Sequence, residues 1–333
     1  MRATDDPAMR SRFLLLSIVV TVGCTYPVRI TEAGTDAPVP TDTHVTPDTN
    51  DATDAFVAPD AFIPSTSFAY TGTIDSYVVP AGVTMIRVVA EGASGGFVAT
   101  AMTDAGITHD EPMPGGHGAH AEATVAVTAG ETLSILVGQQ PLLEPLGDDG
   151  CGASGGGGTF VMRMNTPLVV AGGGGGGSGF SYNLGEGADA SMTEDGVSCA
   201  TFVGGTGGAG GGTASGTGVP VEGSGGGVTG NGASSGTAGE STGGVSFVGG
   251  GAGGSRSSSE NCGSASVGGF GGGGGGGNDT GGGGGGYSGG AGCTQNAPPS
   301  AHAGGGGTFV SGSDTMVSIR TTHGDGSVTI TPM

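Results

Sequence analysis

Hydrophobic and polar positions alternate in short stretches in two parts of this chain, and a long region with few side chains of either kind separates them. Phe68–Gly72, Ser76–Val79 and Val83–Ala90 carry the alternation and β-branched content of half-buried strands, with Pro80-Ala-Gly82 turning the chain between the last two. Ala119–Thr128 and Thr132–Gly138 form a second pair around Ala129-Gly130-Glu131. Gly155–Val161 leads into another strand, and Pro167–Ala171 delivers the chain into the glycine region. Beyond that region, Gly304–Val310, Met316–Arg320 and Ser327–Thr331 close the pattern. No stretch after the first two dozen residues has a helical period, so the expected fold is an all-β sandwich.

Between Gly172 and Gly290 glycine is by far the commonest residue, in runs such as Gly172–Gly177, Gly271–Gly277 and Gly281–Gly286. Glycine loses more backbone entropy on ordering than any other residue, so such a segment is either disordered or held by something other than side-chain packing. One ordered solution is a bundle of polyglycine II helices. These have three residues per turn and no internal hydrogen bonds, and each offers its peptide groups to its neighbours. The sequence Gly-Gly-Gly-Gly-Thr-Phe-Val occurs at Gly155–Val161 and again at Gly304–Val310, flanking the region. That symmetry predicts an insertion over 172–303, anchored at both ends between strands of one sandwich.

Phe13–Val22 is a short apolar run behind Arg10 and Arg12, followed by Gly23-Cys24. It reads as a secretory signal, too short for a membrane span. Gly23-Cys24 resembles a bacterial lipobox, with Thr21 in place of the leucine that pattern favours. Cys24 is therefore the expected lipidation site of an outer-membrane or cell-surface lipoprotein, and ordinary secretion is the alternative. The start of translation is Met1 or Met9. Residues 25–66 turn to Asp, Ala, Pro and Thr, with Asp-Ala at Asp36, Asp51, Asp54 and Asp60, the composition of a disordered acidic tether. At about 3 Å per residue it would hold the folded part roughly 100 Å from a lipid anchor.

Eighty glycines in 333 residues and 5% aromatics leave apolar volume for one β domain of moderate size and no more. A net charge of −21 with no lysine argues against nucleic acid and against an anionic membrane surface. It also excludes a phosphate-binding P-loop, which needs a lysine. With Cys24 set aside, Cys151, Cys199, Cys262 and Cys293 form an even set suited to an oxidising compartment. Four cysteines allow three pairings; the expectation is that chain neighbours pair, Cys151 with Cys199 and Cys262 with Cys293.

Several of these motifs, taken in order, resemble the glycine-rich domain of the anaplastic lymphoma kinase and leukocyte tyrosine kinase receptors. They are Phe68-Ala-Tyr-Thr-Gly72, Val79-Pro-Ala-Gly-Val83, Glu91-Gly-Ala-Ser-Gly-Gly96, Gly115-Gly-His-Gly-Ala119, Gly130-Glu-Thr-Leu133, Val137-Gly138, Gly157-Gly-Thr-Phe-Val161, Val170-Ala-Gly-Gly173 and Gly284-Gly-Gly-Tyr-Ser-Gly-Gly290. The resemblance covers Ser67–Met333. It implies a jelly-roll sandwich of the tumour-necrosis-factor type with an inserted bundle of polyglycine II helices. Those receptors bind cytokines through the ectodomain that contains this region. This sequence carries no kinase domain, so only the architecture is carried over.

Three groups of residues are candidates for chemistry. Gly92-Ala-Ser94-Gly-Gly96 and Gly152-Ala-Ser154-Gly-Gly156 match the nucleophile elbow of hydrolases, but that elbow needs a helix after its serine and none is expected here. His109, Asp110, His117 and His120, with Glu111 and Glu122 nearby, are the densest set of possible metal ligands, but a solvated loop is the preferred reading and no metal is expected. Phe180, Tyr182, Phe202, Phe247, Phe270 and Tyr287 punctuate the glycine region. They either seal it against the sandwich or, if solvent-facing, form a binding patch. The expected function is a non-enzymatic, cofactor-free surface protein that binds an extracellular protein or glycan. A structural protein, matrix-forming or ice-facing and without a specific ligand, is the alternative.

Overall fold

The computed structural model describes residues 63–98, 103–104, 107–108, 112–142, 152–178, 185–212, 222–235, 241–256, 267–277, 280–293 and 302–333. Twelve strands follow in order: β1 (Thr66–Ala69), β2 (Ile74–Val78), β3 (Met85–Glu91), β4 (Thr103–Asp104), β5 (Ile107–Thr108), β6 (Ala119–Ala126), β7 (Thr132–Leu136), β8 (Thr159–Arg163), β9 (Thr166–Ala171), β10 (Phe309–Val310), β11 (Ser313–Ile319) and β12 (Ser327–Pro332). One five-stranded sheet has the order β1-β12-β3-β6-β11 and the other the order β10-β9-β8-β7-β2, all antiparallel; β4 and β5 make a separate small hairpin. The all-β, two-sheet expectation holds. The expected signal sequence, Cys24 and most of the expected acidic tether lie outside the described residues. The fold begins slightly before the expected boundary, with Ile63 already packed on the core.

The two sheets have different burial patterns because they are covered differently. In β3, Ile86, Val88 and Ala90 point into the core while Arg87 faces solvent, the alternation of a sheet wet on one side. In β8, Thr159, Phe160, Val161 and Met162 are all buried. Val161 packs between the sheets with Ile86, Val88, Leu133, Ile135, Val169, Val328 and Ile330. Phe160 and Met162 join Leu136 and Val170 on the opposite face, against Val228 and Phe247 of the glycine region. The second sheet is therefore the middle layer, with the first sheet on one side and glycine-rich chain on the other.

The glycine region leaves from β9 and returns through β10, which pair with each other: Phe309 lies opposite Val170 and Val310 opposite Val169. β8 flanks β9 on its other side, so the two copies of Gly-Gly-Gly-Gly-Thr-Phe-Val enter the same sheet on either side of one strand. Their threonines do matching work. Thr159 Oγ1 accepts the Gly138 N–H at 3.0 Å and Thr308 Oγ1 accepts the Gly172 N–H at 3.2 Å, each holding the N–H of a glycine just past a strand end.

Within the glycine segments the hydrogen bonds repeat every three residues. The N–H groups of Gly282 and Gly285 donate to Ala153 and Gly156, those of Gly283 and Gly286 to Gly223 and Gly226, and those of Gly284 and Tyr287 to Gly304 and Gly307, over 2.8–3.2 Å. One segment is thus bonded to three different neighbours in rotation. The same period recurs where Gly152, Gly155 and Gly158 donate to Gly277, Gly274 and Gly271, and where Glu222, Gly225 and Val228 donate to Cys293, Gly290 and Tyr287. Residues 271–277, 281–286 and 288–293 are buried throughout, so this body has an interior made almost entirely of main chain. Close approach makes glycine obligatory there: a methyl group on Gly284 would overlap the carbonyl of Gly173, and one on Gly225 that of Gly284. The body is also wider than the expected 172–303 insertion. Segments 92–96, 115–118 and 152–158, from other loops of the sandwich, are bonded into it.

Candidate functional site

The described polar side chains gather mainly where the sandwich meets the glycine segments. His117, just before β6, donates its backbone N–H to Asp189 Oδ1 at 2.7 Å, and its Nδ1 lies 3.3 Å from the same oxygen. In return, the Ala190 N–H donates to the His117 carbonyl at 2.9 Å. The His117 ring stacks on His323, from the turn between β11 and β12, with centroids 4.0 Å apart and planes at 27°. Phe97 sets its edge against His323 at 4.7 Å. Partial desolvation and the neighbouring His117 hold the pKa of the solvent-exposed His323 below its ordinary value; Arg320 acts in the same direction, and Asp189 and Glu186 oppose it.

A second polar network lies on β3, β6 and β11. His120 Nε2 is 2.9 Å from Glu122 Oε1 and its Nδ1 is 3.5 Å from Glu91 Oε1. Glu122 is also paired with Arg87, and Glu91 Oε2 is 3.5 Å from Arg320. Arg320 donates from Nη1 to the carbonyls of Gly92 at 2.7 Å and Asp325 at 2.9 Å, and its own N–H donates to Gly118 at 3.0 Å. It thereby ties β11 to two glycine segments. Glu91, His120, Met316, Ser318, Arg320 and Thr322 line an open depression of about 250 Å³. Its charged groups take one another, or backbone carbonyls, as partners.

The structure therefore sends the expected metal ligands apart. His117 turns to Asp189 and His323, while His120 turns to Glu91 and Glu122. Alternation along the strand entry gives the two histidines different neighbours. His109 and Asp110 lie outside the described residues. Among the described residues, no three His, Cys, Asp or Glu side chains are grouped to hold a metal ion.

Both serines of the elbow-like motifs are fully buried. Ser154 Oγ accepts the Gly276 N–H at 3.0 Å, and the same service recurs across the region. Ser178 accepts from Gly281, Ser224 from Gly292, Ser288 from Gly208, Ser234 from Gly243, and Asn231 Oδ1 from Ser246, over 2.9–3.3 Å. At these positions short polar side chains stand in for a backbone carbonyl as the acceptor.

The aromatic residues seal rather than display. Phe247 is buried on Phe160 with centroids 5.3 Å apart, Tyr287 stacks on Phe309 at 4.8 Å, and Phe270 lies 6.2 Å from Tyr70. Phe247 is thus taken up in covering the apolar outer face of β7, β8 and β9, and Phe270 and Tyr287 pack half-buried against the same cluster. Phe202 is likewise buried, beside the disulfide. Phe180 and Tyr182 lie outside the described residues. The disulfide corrects the expected pairing: Cys199 bonds to Cys293, with Cα atoms 5.6 Å apart across a sequence separation of 94. Chain order misleads here because hydrogen bonds from Ala291 to Val197 and from Gly205 to Gly289 lay the two segments side by side. Cys151 and Cys262 lie outside the described residues.

What faces solvent follows the same three-residue rhythm. Glu186 and Asp189, Asn231 and Ser234, and Ala252 and Ser255 are exposed, while the positions between them are wholly or partly covered. Nothing in the sequence announced His323, Asp189 or Arg320 as neighbours of His117 and His120. The chain matches no protein-family model and no curated protein sequence.

Proposed function

We propose that this chain is a non-enzymatic, surface-exposed binding or adhesion protein that presents a rigid, side-chain-poor block on a β-sandwich. The carrying observation is the three-residue hydrogen-bond rotation of 282–287 among three neighbouring segments, every one of them short of side chains. Three residues per turn with all peptide groups directed outward is the geometry of polyglycine II, and we read the glycine segments as a bundle of such helices. We read the sandwich as a jelly-roll of the tumour-necrosis-factor type. Pairing of the first strand with the last, and crossings between sheets from β2 to β3 and from β6 to β7, support that reading. Together they favour the architecture of the glycine-rich receptor domains, without their ligand.

In this reading the recognition surface is the outer layer of the block, where Asn231, Ser234, Ala252 and Ser255 recur at about 9 Å per turn and Val203 and Val248 are exposed. Lipidation at Cys24 would place it at the cell surface. The burial of Ser94 and Ser154 fits the non-enzymatic reading, since a nucleophile must be reached by its substrate.

The test is to display the full chain on beads and measure saturable binding to intact cells, matrix proteins and a panel of glycans. Capture that is lost when the outer-layer residues Asn231 and Ser234 are replaced by bulky arginines supports the proposal. No binding to any of the three surfaces, or self-assembly into filaments as the only association seen, overturns it in favour of a structural protein.

A further inference from the structure

The His117–His323 stack joins three stretches that are distant in sequence. His117 belongs to the glycine approach to β6, His323 to the turn between β11 and β12, and Asp189, hydrogen-bonded to His117, to the segment that returns from the first part of the insertion. The titratable and charged groups facing the pair come from each of these. Asp189 and Glu186 reach it from the insertion and Arg320 from the end of β11, while the Asp325 carboxylate accepts the Gln140 N–H at 2.7 Å. Among the described residues, the 92–98 segment contributes only the apolar edge of Phe97.

We infer that the His117–His323 stack is an acid-sensitive latch: with His323 uncharged, the stacked rings hold the β11–β12 turn and the 185–191 segment onto the sandwich, and acidification loosens both. A proton on His323 would set a charge against the His117 ring 4.0 Å away with Arg320 also nearby, only partly offset by Asp189 and Glu186, so the stack separates. The sign follows from the direction in which His323 is perturbed. A histidine whose folded state favours the neutral ring stabilises the contact above its ordinary pKa, and that contribution is lost as pH falls. The outward consequence is local. The 185–191 segment carries the exposed Glu186 and Asp189, so the face it forms changes shape in acid while the sheets remain intact.

The test is hydrogen exchange on the full chain between about pH 7.5 and pH 5, the range over which histidine charges, with protection factors corrected for the intrinsic rate. Peptides covering 185–191 and 320–326 are expected to lose protection severalfold relative to β3 and β12. His323→Phe, which keeps a stacking ring and removes the charge, is expected to abolish the difference, and His117→Gln to do so independently should the first variant fold poorly. The inference is overturned if the wild-type segments change no more than β3 does, or if both variants still loosen in acid.

Discussion

Replacing Gly284 by alanine tests the main-chain interior directly. Gly284 lies in a fully buried segment, and a methyl group there would overlap the Gly173 carbonyl oxygen, with the Gly173 carbon and the Gly174 oxygen both 2.8 Å away. All three are backbone atoms, so no side chain can swing aside. Overpacking a dense interior costs about 1–3 kcal/mol. Displacing the Gly173 segment also weakens the bonds from Gly284 to Gly304 and from Gly173 to Gly285, each worth about 1 kcal/mol. The sum is at least about 3 kcal/mol, or roughly 6–12 °C in Tm at the 2–4 °C per kcal/mol typical of domains this large. Two controls grade the effect. Gly212→Ala meets only the Val203 oxygen, at 3.6 Å, and is expected to be neutral or to stabilise by about 0.4–1 kcal/mol through the unfolded chain. Gly207→Ala has open space but a φ of +58°, a strain of about 1–2 kcal/mol. Scanning calorimetry should therefore rank the Tm values Gly212→Ala, then Gly207→Ala, then Gly284→Ala. Equal melting of Gly284→Ala and Gly212→Ala would refute the claim that glycine is required for close packing.

Three further outcomes are expected. Cys199→Ser should lower stability by about 2–4 kcal/mol, because the bond closes a long loop; a melting temperature unchanged by the substitution and by dithiothreitol would show that the pairing contributes nothing. Thr308→Val leaves the buried Gly172 N–H without its acceptor and should cost about 1–3 kcal/mol, as should Thr159→Val for Gly138; if only one of the two destabilises, the matching roles of the repeat are wrong. The hydrogen bond from Arg163 holds the Glu131 carboxyl below the usual carboxylate range, aided by the Thr128 N–H and partly opposed by burial. That contribution is present above the ordinary carboxylate pKa and lost as pH falls through the lowered one. The Tm gap between wild type and Arg163→Gln should accordingly be open at neutral pH and close in acid, and a gap independent of pH would sink the assignment.

The strands were legible because they bury side chains of two kinds on two faces. Ile86, Val88 and Ala90 alternate with Arg87 and Val89 whether or not their partners are known, and the turn at Gly82, with φ +82°, needs its glycine. The repeated Gly-Gly-Gly-Gly-Thr-Phe-Val also announced the clamp, since the same residues met the same environment beside β9. The neighbours of each glycine segment were not legible. A residue without a side chain says nothing about what it touches, so the contact between Gly284 and Gly304 leaves no compositional trace. The disulfide went astray for the same reason, because the adjacency of Cys199 and Cys293 is set by main-chain bonds. The histidine stack was hidden by distance along the chain and by the absence of any local pattern around His323.

A conventional core absorbs insults by rotating its side chains into new arrangements, and the glycine body has none to rotate. Its only freedoms are the dihedrals of the main chain, already committed to hydrogen bonds on several sides at once. A fault there has nowhere to spread except along the chain, so damage should be all or none rather than graded. Viable sequence drift should then be confined to the one residue in three that looks out at solvent, leaving a surface free to diversify over an interior that is not.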